Sequence, residues 1–192
     1  MRISCWGATD WGGERPALEA AGLAVLTTPL LTSVAGIFDS IRTIAAALGA
    51  EESGALLIGR IAAEIIEAEE AVLGRPQVRA AFLYAVSLDD PPYTAGSGAI
   101  ENELILRAGG RNVFSDVAGF PQVGFEEILA RDPEVIFTAP SQVENILRNP
   151  LLQSVAAVVD GRVVGIRASV VASTQVAQAL RSMIQALHNV TP

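Results

Sequence analysis

Short apolar runs alternate with helical segments along the second half of this sequence, and this alternation constrains the fold more than any other feature. Three such runs lie at residues 80–86, 134–138 and 162–166. Helices are predicted at 98–108 and 125–131 after the first run, at two short segments over about 142–157 after the second, and at about 173–189 after the third. Strands separated by helices pair in parallel through right-handed crossovers. The run at 134–138 has consecutive apolar residues, as is typical of a strand covered on both faces. The sequence therefore predicts an α/β fold, with a Rossmann-like lobe on a mainly parallel sheet.

Two helices are expected before this lobe. Apolar residues recur every three or four positions from Phe38 to Leu48, which predicts a helix over residues 33–50. A longer helix follows to about residue 73, where Gly74 ends it.

The first part of the chain has its own strand–helix–strand pattern. Residues 2–8 and 23–27 are predicted strands, and residues 13–21 between them are a predicted helix. This pattern is the closing portion of an α/β unit and not a whole one.

Composition and charge exclude several classes of protein. Apolar residues make up 51% of the chain and charged residues 18%, so the chain is not disordered. No window approaches ~18 consecutive uncharged apolar residues, so no membrane span is expected. The net charge of −8 argues against nucleic acid as a partner, because phosphate backbones require a basic surface. No basic segment followed by an apolar core opens the sequence, so no secretory signal peptide is predicted.

Residues that could carry catalysis or hold a metal are scarce. The one histidine, His188, lies near the end of the predicted last helix, where a structural role is expected. One cysteine and one histidine cannot build a metal site. We therefore expect no catalytic residue, no metal ligand and no enzyme. A small α/β enzyme stays open as an alternative if carboxylates among Asp89, Asp90, Glu101 or Glu126 converge with a raised pKa.

Aromatic residues are few, so their positions carry information. Tyr93 lies in a Pro-Pro-Tyr-Thr loop, Phe120 in a Gly-Phe-Pro-Gln loop, and Trp11 directly before two glycines. Loop aromatics outside any apolar stripe are candidates for stacking on a large planar ligand, with local packing of the loop as the alternative. A weaker cue is the Gly96-Ser97-Gly98 turn before a helix, whose N–H groups could face an anion.

Three stretches in order resemble one known family. They are FLYAVSLDDPPYTAGSGAIENELILRAGGRNVF at 82–114, GFPQVGFEEILARDPEVIF at 119–137 and LLQSVAAVVDGRVVGI at 151–166. The sequence resembles the substrate-binding proteins of ABC importers for metal chelates, which bind cobalamin, ferric siderophores or haem. The Pro-Pro-Tyr-Thr-x-Gly and Gly-Phe-Pro-Gln-Val motifs are most similar to the cobalamin-binding branch.

The resemblance implies two α/β lobes joined by one long, rigid backbone helix, with the first lobe present only in part because the chain is truncated at its amino terminus. The implied organisation is a remnant of the N-terminal lobe at 1–31, a helical segment with the inter-lobe backbone helix at 32–76, and a C-terminal α/β lobe at 77–192. The implied localisation is periplasmic, or extracytoplasmic with a membrane anchor.

The resemblance also implies a function. The chain would be a solute receptor that binds a large metal chelate between the lobes, cobalamin or an iron chelate, without a resident cofactor. Tyr93 and Phe120 would line the cleft, and Trp11 would face them from the other side. Glu126 matches the glutamate that docks such a lobe onto the ABC permease. The alternative is a non-transport α/β interaction or scaffold domain derived from such a receptor.

Overall fold

The computed structural model describes the backbone of residues 3–7 and 14–190, with side chains from residue 15 onward. The first elements are β1 (Ile3–Gly7), α1 (Glu14–Ala20), β2 (Ala24–Thr28), α2 (Val34–Leu48) and α3 (Glu51–Glu70). The elements that follow are β3 (Val78–Tyr84), β4 (Tyr93–Thr94), α4 (Ile100–Arg107), β5 (Gly110–Asn112), α5 (Phe125–Arg131), β6 (Val135–Thr138), α6 (Val143–Leu147), α7 (Ala156–Val159), β7 (Val163–Gly165), α8 (Ala168–Val171) and α9 (Val176–His188).

The strands form two separate sheets. β1 and β2 pair in parallel as a two-stranded sheet. The larger sheet has the order β4-β3-β6-β7, and β5 pairs with the start of β3. All its pairs are parallel except β3 with β4, so the predicted α/β fold with a mainly parallel sheet is confirmed. The two-lobe organisation and the boundaries 1–31, 32–76 and 77–192 stay predictions.

The larger sheet has an apolar core on each face. On β3, Ala80 and Phe82 belong to the cluster under α2, α3, α4 and α9, whereas Ala81 and Leu83 belong to the cluster under α5, α6 and α7. β6 alternates in the same way, with Phe137 in the first cluster and Ile136 in the second. A strand covered on both faces has consecutive apolar residues, which explains the runs in the sequence.

Some short elements differ from the prediction. The sequence pattern does not predict β4, β5 or α8, because two to four residues are too few to show a period. The last helix, predicted from residue 173, begins at Val176. The two short helices predicted over 142–157 are α6 and α7, with a single 3-10 turn at Pro140–Gln142 ahead of them.

Carboxylates on α4 and α3 take part in the hydrogen bonds that join α4 to the two helices before it, α2 and α3. Glu103 accepts the backbone N–H of Val34 at 3.0 Å, at the first residue of α2. A carboxylate is stabilising there because helix N-termini carry a partial positive charge. Arg107 donates to Glu103 at 2.8 Å and to Glu69 of α3 at 2.6 Å. α4 is therefore bonded to both helices that precede the sheet.

Candidate functional site

The carboxyl ends of three parallel strands lie on one edge of the larger sheet. β3 ends at Tyr84, β6 at Thr138 and β7 at Gly165, and their registers place these ends side by side. Open α/β sheets bind ligands outside the carboxyl ends of their strands. This edge is therefore the candidate site.

Both predicted loop aromatics lie at this edge. Tyr93 pairs with Tyr84 at the end of β3, and it also forms a bridge with Gln122 of the second loop. The side chain of Tyr93 is 47% exposed and that of Phe120 is 45% exposed. The structure therefore brings these two residues, 27 positions apart in sequence, to one place with open faces. That either ring contacts a ligand stays a prediction.

The two loops, residues 92–97 and 117–123, are joined by backbone hydrogen bonds, and we call them together the aromatic platform. Thr94 N–H donates to Pro121 O at 2.9 Å, and Gly96 N–H donates to Gly119 O at 2.8 Å. A Cβ at Gly96 would lie only 2.1 Å from Val117 O, so the close approach of the loops requires glycine there.

These bonds also change the interpretation of the Gly96-Ser97-Gly98 turn. The N–H groups of Gly96 and Ser97 donate to backbone carbonyls of the second loop, and the Ser97 hydroxyl donates to Val117 O. These two N–H groups are therefore not available to an anion. The turn serves the pairing of the two loops.

The ring of Phe120 contacts the ring of Tyr84, and a hydrogen bond to Glu101 fixes the position of Tyr84. The centroids of Tyr84 and Phe120 are 6.0 Å apart with an edge-to-face angle of 61°, a favourable aromatic geometry. The Tyr84 hydroxyl donates to Glu101 Oε1 at 2.7 Å. Burial, and then the neighbouring Glu101 carboxylate, raise the pKa of Tyr84 well above its ordinary value.

Glu101 is the unusual residue of this region. Its side chain lies in the first turn of α4 and is only 6% exposed. Oε2 has no hydrogen-bond partner among the described residues. The Tyr84–Glu101 pair is not predicted from the sequence; the one available signal is that Tyr84 lies near the carboxyl end of the predicted strand 80–86, where open α/β sheets bind ligands.

The remaining predicted site residues are Trp11 and Glu126. Trp11 is outside the described residues. Glu126 is in the first turn of α5, directly after the second loop of the aromatic platform, and its side chain is exposed. It forms no ion pair with any described residue, so its charge is available to a partner.

Two carboxylates named for the enzyme alternative, Asp90 and Glu101, have separate partners. No group of three or more histidine, cysteine or acidic residues that could hold a metal ion occurs among them. Asp90 lies in a turn that Ser87 closes, whereas Glu101 is buried against Tyr84. His188 lies 3.0 Å from Ala108 O through Nε2, which fits the predicted structural role.

Comparison with known proteins identifies the family. The sequence matches the profile of the periplasmic binding proteins over residues 8–170, which is most of its length. The chain belongs to the periplasmic binding protein family. The family is one of binding proteins and not of enzymes, in agreement with the prediction from sequence.

Two curated relatives of this periplasmic binding protein have names that state a ligand. The vitamin B12-binding protein of Salmonella typhimurium is 31% identical over 127 residues, which cover 64% of this chain and 45% of that protein. The cobalamin-binding protein of Halobacterium salinarum is 25% identical over 186 residues, which cover 91% of this chain and 50% of that protein. The chain thus spans about half the length of the curated relatives it matches.

Solved structures share the fold. The periplasmic heme-binding protein RhuT from Roseiflexus sp. RS-1 aligns with a TM-score of 0.85 at 23% identity, over 99% of this chain and 76% of that one. The heme-binding protein BhuT aligns with a TM-score of 0.85 at 20% identity, over 97% and 75%. Within the described residues, no helix is both long and apolar enough to cross a membrane.

Proposed function

We propose that this chain is the solute receptor of an ABC importer and binds a large metal chelate, cobalamin or an iron chelate, between two lobes. The observation that carries the proposal is the aromatic platform, which presents two half-exposed rings at the carboxyl edge of the larger sheet, the candidate site. Relatives named for vitamin B12 and cobalamin support the chelate class. The receptor would work in the periplasm or at the outer face of a membrane.

Stacking and burial would provide the affinity. Flat macrocyclic chelates present large apolar faces, and burying an aromatic side chain against such a face contributes about 1–3 kcal/mol. The domain proposal places the 77–192 lobe on one side of the chelate and the 1–31 segment, with Trp11, on the other.

The experiment is equilibrium binding of cyanocobalamin, haemin and a ferric siderophore, measured by intrinsic fluorescence and by native mass spectrometry. We expect at least one chelate to bind, and Tyr93→Ala and Phe120→Ala each to weaken binding by roughly 10- to 100-fold. Ile66→Ala, which removes an exposed side chain on α3, is the matched control and should leave affinity unchanged.

The outcomes separate the alternatives. No binding of any chelate by the folded chain would contradict the proposal and favour the scaffold alternative. Equal losses in Ile66→Ala and in the two aromatic variants would show that the aromatic platform is not the binding surface.

We further propose that Glu126 docks this lobe onto the permease. An exposed carboxylate at an interface rim sets orientation and encounter rate more than affinity. Glu126→Arg should lower uptake of the bound chelate by cells of the source organism and leave chelate affinity unchanged. Asp160→Arg makes the same charge change at another exposed site and should leave uptake unchanged; equal effects of the two variants would contradict a specific role for Glu126.

A further inference from the structure

One side of α3 points away from the rest of the chain and is apolar. The residues that α3 buries on its inner side are Gly54, Ile61, Ile65 and Ala68. On the opposite side Leu56 is 69% exposed and Ile66 is 57% exposed, and Leu73 in the turn after the helix is 76% exposed. Apolar side chains exposed together on one surface mark an interaction site, whereas singly scattered ones do not.

The helical repeat places these residues in one band. Leu56, Ala63 and Ile66 follow each other at intervals of seven and three residues, which keep side chains on the same side of an α-helix. Ala63 is exposed and small, and it lies near the middle of α3. We call the band formed by Leu56, Ala63, Ile66 and Leu73 the outer face of α3. Its small central residue leaves room for close approach of another helix.

The two ends of the outer face differ in shape. An open hollow of about 340 Å³ lies at the amino-terminal end, lined by Ser53, Leu56, Leu57 and Arg60. Leu73 projects beyond the carboxyl-terminal end of the helix. The 20 residues of α3 span about 30 Å. A second α3 that lies antiparallel therefore brings its Leu73 to the end that carries the hollow, and the reverse contact forms at the same time.

The charges beside the outer face are complementary in the same arrangement. Arg60 and Glu67 are seven residues apart, so they lie on one flank of α3, and both are exposed. Arg60 is 4.0 Å from Glu64 and Glu67 is 3.7 Å from Arg181, which are long distances for ion pairs. With a two-fold axis near Ala63, Arg60 of each copy lies opposite Glu67 of the other. Two ion pairs then form across the contact.

We propose that the outer face of α3 is the interface of a dimer, in which two copies of this chain pack their α3 helices antiparallel. A two-fold interface must be complementary to itself. The hollow with Leu73 meets this requirement in shape, and Arg60 with Glu67 meets it in charge. The inference is independent of the proposed function, because it uses no residue of the aromatic platform.

The size and charge of the surface define the partner further. A contact about 30 Å long and one helix wide is small for a protein interface, so the dimer is weak and depends on concentration. An anionic membrane surface fits less well, because the net charge of the chain is −8 and Glu52, Glu67 and Glu70 are exposed on α3.

The test is sedimentation velocity over a range of about 1 to 300 μM protein, which covers weak association. Leu73→Asp introduces a charge into the apolar contact, and Leu151→Asp makes the same change at an exposed leucine outside α3 as the matched control. Arg60→Glu and Glu67→Arg each place like charges opposite one another. The double variant Arg60→Glu/Glu67→Arg restores both ion pairs with the charges exchanged. Far-UV circular dichroism checks that each variant is folded.

We expect the unaltered chain to show an equilibrium between monomer and dimer. Leu73→Asp should raise the dissociation constant at least about 10-fold, and Arg60→Glu and Glu67→Arg each about 3- to 10-fold. The double variant should return to within about threefold of the unaltered chain, since its ion pairs are restored. Leu151→Asp should match the unaltered chain.

Three results would overturn the dimer. They are a monomer at every concentration, equal effects of Leu73→Asp and Leu151→Asp, and a double variant that associates more weakly than either single charge variant. Flotation with phosphatidylglycerol vesicles tests the other partner: binding of a monomeric chain that Leu73→Asp abolishes would assign the outer face to a membrane. Chelate binding is measured separately, so failure of the dimer leaves the proposed function intact.

Discussion

At the scale of single residues, the buried Tyr84–Glu101 pair supports the exposed part of the site. A buried carboxyl group is costly unless it is hydrogen-bonded, and Tyr84 provides the one side-chain donor that the described residues offer to Glu101. The same tyrosine ring contacts Phe120. Tyr84 therefore contributes both to the stability of the fold and to the position of Phe120 on the aromatic platform.

Removing the Tyr84 hydroxyl should destabilise the fold without removing the ring. We expect Tyr84→Phe to lower the free energy of unfolding by about 1–3 kcal/mol, because neither carboxylate oxygen of Glu101 then has a hydrogen-bond partner among the described residues. Urea denaturation measures this change. Tyr93→Phe is the matched control, since no hydrogen bond of its hydroxyl is present among the described residues, and its effect should stay within about 0.5 kcal/mol.

The pH dependence of stability follows from the raised pKa of Tyr84. A group whose pKa is raised in the folded state stabilises the fold below its unfolded pKa and loses that contribution as the pH increases further. The free energy of unfolding should therefore fall as the pH rises above about 10, the usual tyrosine value. Urea denaturation at increasing pH should show a smaller fall for Tyr84→Phe, and identical slopes would contradict the assignment.

Sequence alone could predict part of this chemistry. Tyr93 and Phe120 are conspicuous because they lie in polar loops rather than in apolar stripes, and the structure brings them together. The burial of Glu101 is not visible in sequence, since a glutamate in the first turn of a helix is normally exposed. Its partner Tyr84 is 17 residues away, and only the tertiary structure shows the contact.

At the scale of elements, α2 and α3 approach closely through a glycine. A Cβ at Gly54 of α3 would lie 2.6 Å from the Cβ of Ala45 on α2. Gly59, five residues along the same helix, has open space where its Cβ would be. The two glycines therefore make a matched pair in one helix.

Alanine substitutions at Gly54 and Gly59 should change the free energy of unfolding in opposite directions. Gly59→Ala should raise the free energy of unfolding by up to about 1 kcal/mol, because alanine is the better helix former. Gly54→Ala should lower it, since α2 must move away from α3 and the gain in helix propensity cannot offset lost packing. Thermal and urea denaturation check both variants, and a stabilising Gly54→Ala would show that the helices can separate without cost.

Prediction of elements from sequence succeeds where a pattern is long enough. The spacing from Phe38 to Leu48 lies within α2, the apolar run at 80–86 overlaps β3, and the consecutive apolar residues at 134–138 correctly indicate that β6 is buried on both faces. β4 is two residues long and consists of Tyr93 and Thr94 in a proline-rich loop. Its pairing is set by the neighbouring strand and not by its own sequence.

At the scale of the whole molecule, the two sheets differ in how well they are covered. All four residues of β6 are buried, whereas no residue of β2 is. Backbone amides exchange with solvent through local opening, whose free energy is lowest where few apolar contacts hold an element. We expect amides of β3 and β6 to exchange last and those of β2 among the first, measured by hydrogen exchange with mass spectrometry. Equal protection of the two sheets would mean that they open as one cooperative unit.

The hydrogen bonds that join the two loops of the aromatic platform have a consequence for the kinetics of capture. A surface already ordered before its ligand arrives has little conformational entropy left to lose on binding. Association with such a surface is a single bimolecular event, without a slow isomerisation before or after the encounter. Under the proposed function, capture by this chain is therefore limited by diffusion and charge rather than by ordering of the aromatic platform.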